Sequence, residues 1–489
     1  MSEKIIVVGS GFSSLALATV LADAGKKVTV LEKNEQIGGR ARKFEASGFT
    51  FDMGPSWYWM PDVFESFFNR FGKNVKDYYK LKRLNPSYRV YFGLNDFLDL
   101  PANYSLLKGL FEQIEKGSGD RLDDFMDEAQ YKYKVGMQEL VYMPGKSIFE
   151  FIKWPVLRGM FKLQLFRPLS KYVRSFFKNE KLIKLMEFPV LFLGAKPQET
   201  PALYSLMNYA DIKLGTWYPM GGMNKIVEAM TLLAKEKGVS FVLSCEVQKL
   251  EAKNNKVIKA VTSKGDFEAD QFVSGADYYH TDKQLLDNEY HNYSEQYWNS
   301  RKMAPSSLLF YIGVNKRLKN ILHHNLFFDE DFSKHFIEIY DYPQWPSKPL
   351  FYVCAPSLTD KSVAPEGCEN LFILMPVAHD LEDSELIREK YYQIIMSRLE
   401  KLTKQEIRKH VIYKKSYAHS DFINDYHAFK GNAYGLANTL FQTAILKPSI
   451  TNKKLKNLHY TGQLTTPGPG VPPSLISGQV VAEEILKII

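Results

Sequence analysis

Four consecutive apolar residues, Ile5-Ile6-Val7-Val8, follow the polar Lys4 and run into Gly9-Ser10-Gly11-Phe12-Ser13-Ser14. A short apolar run that ends on glycine reads as a strand buried on both faces, as in a parallel sheet. An apolar helix follows, and then Val28-Thr29-Val30-Leu31 reaches Glu32 as a second such strand, so the N-terminus predicts a β-α-β unit. The C-terminus repeats the grammar. Leu458-His459-Tyr460-Thr461-Gly462-Gln463 leads into a Pro/Gly-rich loop and a helix of small residues, a second strand-turn-helix able to close over the same ligand. Val239 to Val247 reads as a further strand, and Val273-Ser274-Gly275-Ala276-Asp277 as a returning one. The runs at 307–314, 350–354 and 370–375 are β-branched and aromatic, which suits a sheet with one face against an apolar cavity, and a helix is expected at about 384–402.

These patterns divide the chain. Residues 1–75, 215–285 and 441–489 predict one nucleotide-binding domain of the α/β class, assembled from separate segments. Residues 76–149 and 286–440 predict a substrate domain with a mixed sheet, and 150–214 a helical region. The insertion at 76–214 is expected to be mainly helical.

The N-terminal unit carries its own chemistry. A strand ending in Gly-x-Gly and followed by a helix aims free backbone N–H groups and the positive helix end at a pyrophosphate. The third position of that fingerprint is Ser14 instead of Gly, which loosens helix-strand packing but leaves phosphate contact intact. Glu32, at the end of the second strand, would accept hydrogen bonds from a ribose diol and repel a 2′-phosphate, favouring FAD or NAD over NADP. Gly38-Gly39-Arg40 adds a second glycine turn with a guanidinium fork for phosphate, and Gly54-Pro55-Ser56 a turn able to lie against a flat ring.

With these motifs the sequence resembles the flavoproteins that include amine oxidases, protoporphyrinogen oxidases and carotenoid desaturases. The resemblance implies a Rossmann-like fold of the amine-oxidase/glutathione-reductase type with FAD as cofactor. More specifically, the chain resembles the bacterial-type phytoene desaturase family along essentially its whole length. The marks are Phe51-Asp52-Met53-Gly54-Pro55-Ser56, Trp217 to Gly222, Ala355 to Gly367, Leu374-Met375-Pro376-Val377-Ala378-His379, Asn424 to Gly431, and the loop from Gly462 to Ser474. Gln463 and the Pro472-Pro473 pair depart from the commonest form of that loop. The resemblance nominates as cofactor residues Gly9, Gly11, Phe12, Ser13, Glu32, Lys33, Gly38, Gly39, Arg40, Gly54, Pro55, Ser56, Val247 (through its backbone, at the adenine), Gly462, Gln463, Gly470, Val471 and Pro472.

The implied reaction introduces C=C bonds into a membrane-dissolved carotenoid, of the phytoene type or as 3,4-desaturation of a 1-hydroxycarotenoid, by hydride transfer to flavin and proton loss. Oxygen or a quinone would accept the electrons, since no second Gly-x-Gly-x-x-Gly is present for a nicotinamide cofactor. No strong acid-base constellation is needed and none is found. Glu150 and Asp425 read more naturally as surface charges than as bases. A carotenoid isomerase or saturase on the same frame is the alternative, with a non-enzymatic lipid-escort protein behind it.

Composition narrows the setting. Three cysteines, Cys245, Cys354 and Cys368, make neither a disulfide framework nor a metal-ligand spacing, which fits a reducing cytoplasm. No metal is expected, because the adjacent His323 and His324 lack a third ligand at helical or strand spacing and read as surface or packing residues. No secretory leader or membrane-crossing segment is expected. Charge is uneven. From Phe151 to Lys184 nine basic residues stand against one acid, Glu180, among many aromatics, and the local excess equals the formal net charge of +8 for the whole chain. Such a stretch suits a membrane interface, with cations at anionic head groups and rings in the acyl boundary, so peripheral membrane attachment is expected. A solvated face over an ordinary core and a track for single-stranded nucleic acid compete with that reading, and no nucleic-acid partner is expected.

Overall fold

A computed structural model describes residues 2–147, 163–439 and 442–489. The apolar runs Lys4–Val8 and Lys27–Leu31 lie side by side in a five-stranded parallel sheet, with Ile5 opposite Val28 and Val8 opposite Leu31. The strand order is Leu458–Tyr460, Gln271–Ser274, Lys4–Val8, Lys27–Leu31, Ser240–Val242. This sheet therefore draws its strands from both ends of the chain and from its middle. Helix Phe12–Asp23 is buried along nearly its whole length, as its lack of a polar stripe requires.

The second sheet has seven strands, in the order Val411–Tyr417, Ser306–Val314, Glu369–Val377, Phe351–Cys354, His324–Phe327, Tyr88–Gly93, Asp96–Leu100. All neighbours are antiparallel except His324–Phe327 with Tyr88–Gly93. Ser306–Val314 is buried at every position because it lies inside the sheet, with Val411–Tyr417 and Glu369–Val377 on its flanks. Helix Glu385–Thr403 contributes Tyr391, Tyr392, Ile395, Met396 and Leu399 to the core on one side of this sheet.

The structure refines the expectation at three stretches. The strand read over Val239 to Val247 breaks in two. Ser240–Val242 stays in the parallel sheet, Ser244 takes a left-handed φ of 48°, and Val247 opens an antiparallel hairpin with Lys256–Thr262. Within the insertion at 76–214, expected to be mainly helical, Tyr88–Gly93 and Asp96–Leu100 are strands that extend the substrate sheet to its edge. In the basic aromatic stretch, Leu169, Tyr172, Val173 and Phe177 pack into the main core. Helix Leu169–Phe176 turns its cations outward, and among the described rings of the stretch Phe166 is the exposed one, at 76%. Glu150 and residues 151–162, with Lys153, Arg158 and Lys162, lie outside the described residues. No described helix is long and apolar enough to cross a membrane.

Candidate functional site

At the end of the first strand, Gly9 takes φ 84°, and a Cβ there would sit 3.4 Å from the backbone N of Ala276. The turn is held between strands, with Gly9 N donating to Leu31 O and Gly275 N to Val8 O. Gly11 caps helix Phe12–Asp23 without a side-chain hydrogen bond, so the first-turn N–H groups remain available to an anion. The Ser14 departure has a structural counterpart. A Cβ on Gly275 would lie 2.0 Å from Ser14 Oγ, so the side chain gained at one position is accommodated by the one missing at the other.

Glu32, 4% exposed, braces this turn. One carboxylate oxygen accepts from Ser10 N at 2.9 Å and Ser10 Oγ at 2.5 Å, the other from Asn34 N at 2.8 Å and Nδ2 at 3.0 Å. Lys33 turns away to the Asn424 carbonyl, His427 and Glu246. The second glycine turn packs directly on the first, since a Cβ on Gly39 would be 3.3 Å from Gly11 Cα. Arg40 follows. Its guanidinium lies 5.0 Å from the Tyr426 ring, Nη2 donates to Asn432 O, and Nε is buried without a partner. Burial pulls its pKa down while the Asp277 carboxylate opposes the shift. Gly54 admits no side chain, because a Cβ would lie 2.6 Å from Arg40 O. Asp52, raised to about 6 by burial against its backbone donors, accepts from Met223 N and Asn224 N and ties this turn to the Trp217–Met223 segment.

The C-terminal unit closes over the N-terminal one. Gly462 N donates to Ser477 Oγ, and a Cβ on Gly462 would lie 3.3 Å from Ser13 Oγ. Helix Val471–Leu486 begins after Gly470, whose φ is 111°, and Pro472 and Pro473 occupy first-turn positions where no ladder N–H is lost. A Cβ on Gly478 would fall 2.1 Å from Ser13 O, so the two terminal helices touch backbone to backbone.

Every candidate cofactor residue named above, from Gly9 to Pro472, lines one cavity of about 450 Å3. Its far wall is apolar, with Trp59, Phe188, Leu326, Phe336, Ile339 and Leu374 drawn from both sheets' connections and from the substrate sheet. The polar groups there, His335, Tyr340, Tyr352 and Tyr434, carry no local motif in the sequence. Burial lowers the His335 pKa to about 3 and raises all three tyrosines, so this wall is neutral near pH 7. Asp425 lines the cavity but is bonded to Arg42 at 2.7 Å and to Tyr417 OH at 2.9 Å, which leaves it an ion-pair partner and not a free base.

The cradle fits an anionic dinucleotide. A helix start without a cap, an arginine Nε buried without a partner, and glycines where a Cβ would clash are what a pyrophosphate lying along the turns requires. Comparison with known proteins agrees. Residues 12–486 match the family described as flavin containing amine oxidoreductase. The chain is 39% identical over 486 residues to a carotenoid 3,4-desaturase of Haloarcula japonica, covering 99% of this chain and 98% of that one. It is 30% identical to a zeta-carotene-forming phytoene desaturase of Myxococcus xanthus, over 99% and 94%. Among solved structures, an oxidoreductase from Methanosarcina mazei superposes with a TM-score of 0.62 at 17% identity, covering 98% of this chain and all of the other, which shows the fold.

Proposed function

Because the chain belongs to the flavin-containing amine oxidoreductase family, we propose from that premise that it is an FAD-dependent carotenoid desaturase acting on CH–CH groups of a long polyene. FAD is its cofactor, and carotenoid desaturation is the activity of its full-length relatives. The observation that supports the reading for this molecule is one cavity lined both by the glycine turns and by an apolar wall. FAD, when bound, supplies the two-electron acceptor for the hydrogens removed from the chain.

The residues of this chain do the rest by position. With FAD bound, Gly9 to Ser13, Glu32 and Gly38 to Arg40 would hold the phosphates and ribose, the Val247 backbone would face the adenine, and Gly54 to Ser56 with Gly462, Gln463 and Gly470 to Pro472 would border the ring. The aromatic and aliphatic wall holds the polyene and excludes water. A neutral His335 and neutral tyrosines keep that wall free of charge, which suits a substrate that delocalises developing charge along its own double bonds.

Within this activity the 39% relative favours 3,4-desaturation over the phytoene-type reaction. Oxygen or a quinone accepts the electrons, and the protein attaches peripherally to the membrane that holds its substrate. The segments 1–75, 215–285 and 441–489 form the FAD domain, 76–149 and 286–440 the substrate domain, and 150–214 the membrane-facing region. The test is to incubate FAD-loaded protein and liposomes with acyclic and hydroxylated carotenoids. Lengthened conjugation, read as a shift of absorbance to longer wavelength, supports the proposal, and no shift with any member of the panel refutes it.

A further inference from the structure

The His323-His324 pair lacks a third ligand in the sequence but gains one in the fold. Strand His324–Phe327 runs antiparallel to Phe351–Cys354, which sets His324 opposite Cys354. A ligand nitrogen from each imidazole and the Cys354 sulfur lie within 4.8 Å of one another, and all three residues are buried. Each Nδ1 already has an oxygen partner, Thr359 Oγ1 at 2.8 Å for His323 and the Tyr352 hydroxyl at 2.6 Å for His324. Each Nε2 is buried with no hydrogen-bond partner. A ligating imidazole takes this arrangement when its Nδ1–H donates to the hydroxyl oxygen, which leaves the Nε2 lone pair for a metal. The rings are also clamped, with Trp57 stacked on His324 at 4.0 Å and 9°, and Tyr218 4.6 Å from His323.

We infer that His323, His324 and Cys354 bind one thiophilic divalent cation, zinc by preference, as a clamp between these two strands. Two imidazoles and a thiolate are a ligand set that zinc favours, and bonds of about 2.0–2.3 Å place tetrahedral donors about 3.3–3.6 Å apart, so the three side chains draw together on binding. On coordination the Cys354 thiol releases its proton to solvent and the sulfur binds as thiolate. Cys354 also borders a second cavity of about 20 Å3, which neither histidine lines. None of the three residues lines the main cavity, so the site is separate from the cofactor cradle. Trp57 and Tyr352, which touch His324, do line that cavity, so the clamp would fix its wall.

The test uses untagged, flavin-loaded protein produced with added zinc and dialysed without chelator. Elemental analysis is expected to find one zinc per chain, lost in Cys354→Ser and in His323→Gln while FAD is retained, and unchanged in Cys368→Ser. Wild-type protein carrying only trace metal overturns the inference, as does zinc retained in both ligand variants. Should the variants fail to fold, cobalt-loaded wild-type protein decides: a thiolate-to-cobalt charge-transfer band supports the site, and its absence overturns it. These readings are independent of desaturase activity.

Discussion

Glu32 is a carboxylate with two tasks in one place. It faces the cavity, and it also holds Ser10 and Asn34 through backbone and side-chain donors, so it shapes the phosphate turn as well as presenting charge. Glu32→Gln keeps the volume but replaces one accepting oxygen with a donor aimed at other donors. With about 1.5–3 kcal/mol for a hydrogen bond to a charged group, FAD affinity is expected to fall by a factor of about ten to a hundred, measurable by flavin fluorescence titration. Arg40→Met should weaken FAD by a similar factor, because Nε has no protein partner to compensate. A different carboxylate, Asp383, contributes to the dependence of stability on acid. Burial opposes ionisation of Asp383, but the Arg388 fork at 2.6 and 2.8 Å and the two Ser420 donors outweigh it and hold its pKa down to about 2. A folded pKa below the unfolded one stabilises above about pH 4, and that contribution disappears as pH falls toward 2. Asp383→Asn should remove on the order of 1–2 kcal/mol at neutral pH and flatten the loss of stability between those limits, as chemical denaturation at stepped pH would record.

At the scale of elements, the terminal helices and the glycine turns are one packed unit. Gly275→Ala should be strongly destabilising, since its methyl would overlap Ser14 Oγ, by about 1–3 kcal/mol or more. Pairing it with Ser14→Gly should restore much of the loss in thermal unfolding, a rescue that unrelated damage would not show. Gly478→Ala has no such remedy, because it meets the Ser13 backbone. The nucleotide-binding elements were legible in the sequence because each is a local pattern of apolar strand, glycine turn and helix. The compensation of Ser14 by Gly275 was not, because its partners are 261 positions apart and meet only when Gln271–Ser274 pairs with Lys4–Val8. Likewise Cys354 joins His323 and His324 through strand pairing, which spacing along the chain does not encode. The far wall of the cavity was the least legible part. Its residues come from many separate segments, and an aromatic or leucine on a cavity wall has the same signature as one in a solid core.

Across the whole molecule the question is which way the cavity and the charge face. The described part of the basic stretch separates into an inner apolar side, carried by Leu169, Tyr172, Val173 and Phe177, and an outer stripe of Arg167, Lys171, Arg174 and Lys178. Arg174 is paired with Glu180, whereas Lys171 and Lys178 make no ion pair among the described residues. On the proposed membrane attachment, these outer cations would act on an anionic surface by charge, with Phe166 as the apolar contact among the described residues. This mode of attachment has a measurable consequence. Attachment by charge should weaken steeply as salt rises past the point where the Debye length shrinks to about 8 Å, whereas attachment by buried rings should not. Reversing Arg167, Lys171 and Lys178 to Glu removes about 1 kcal/mol per cation and adds repulsion, so co-sedimentation with anionic vesicles is expected to fall a hundredfold or more, with little change on neutral ones. Phe166→Ser should reduce binding to both lipid types by a smaller and salt-independent factor. Vesicle binding that survives the triple reversal would mean that the stripe is only a solvated face, and that the carotenoid reaches the cavity by another route.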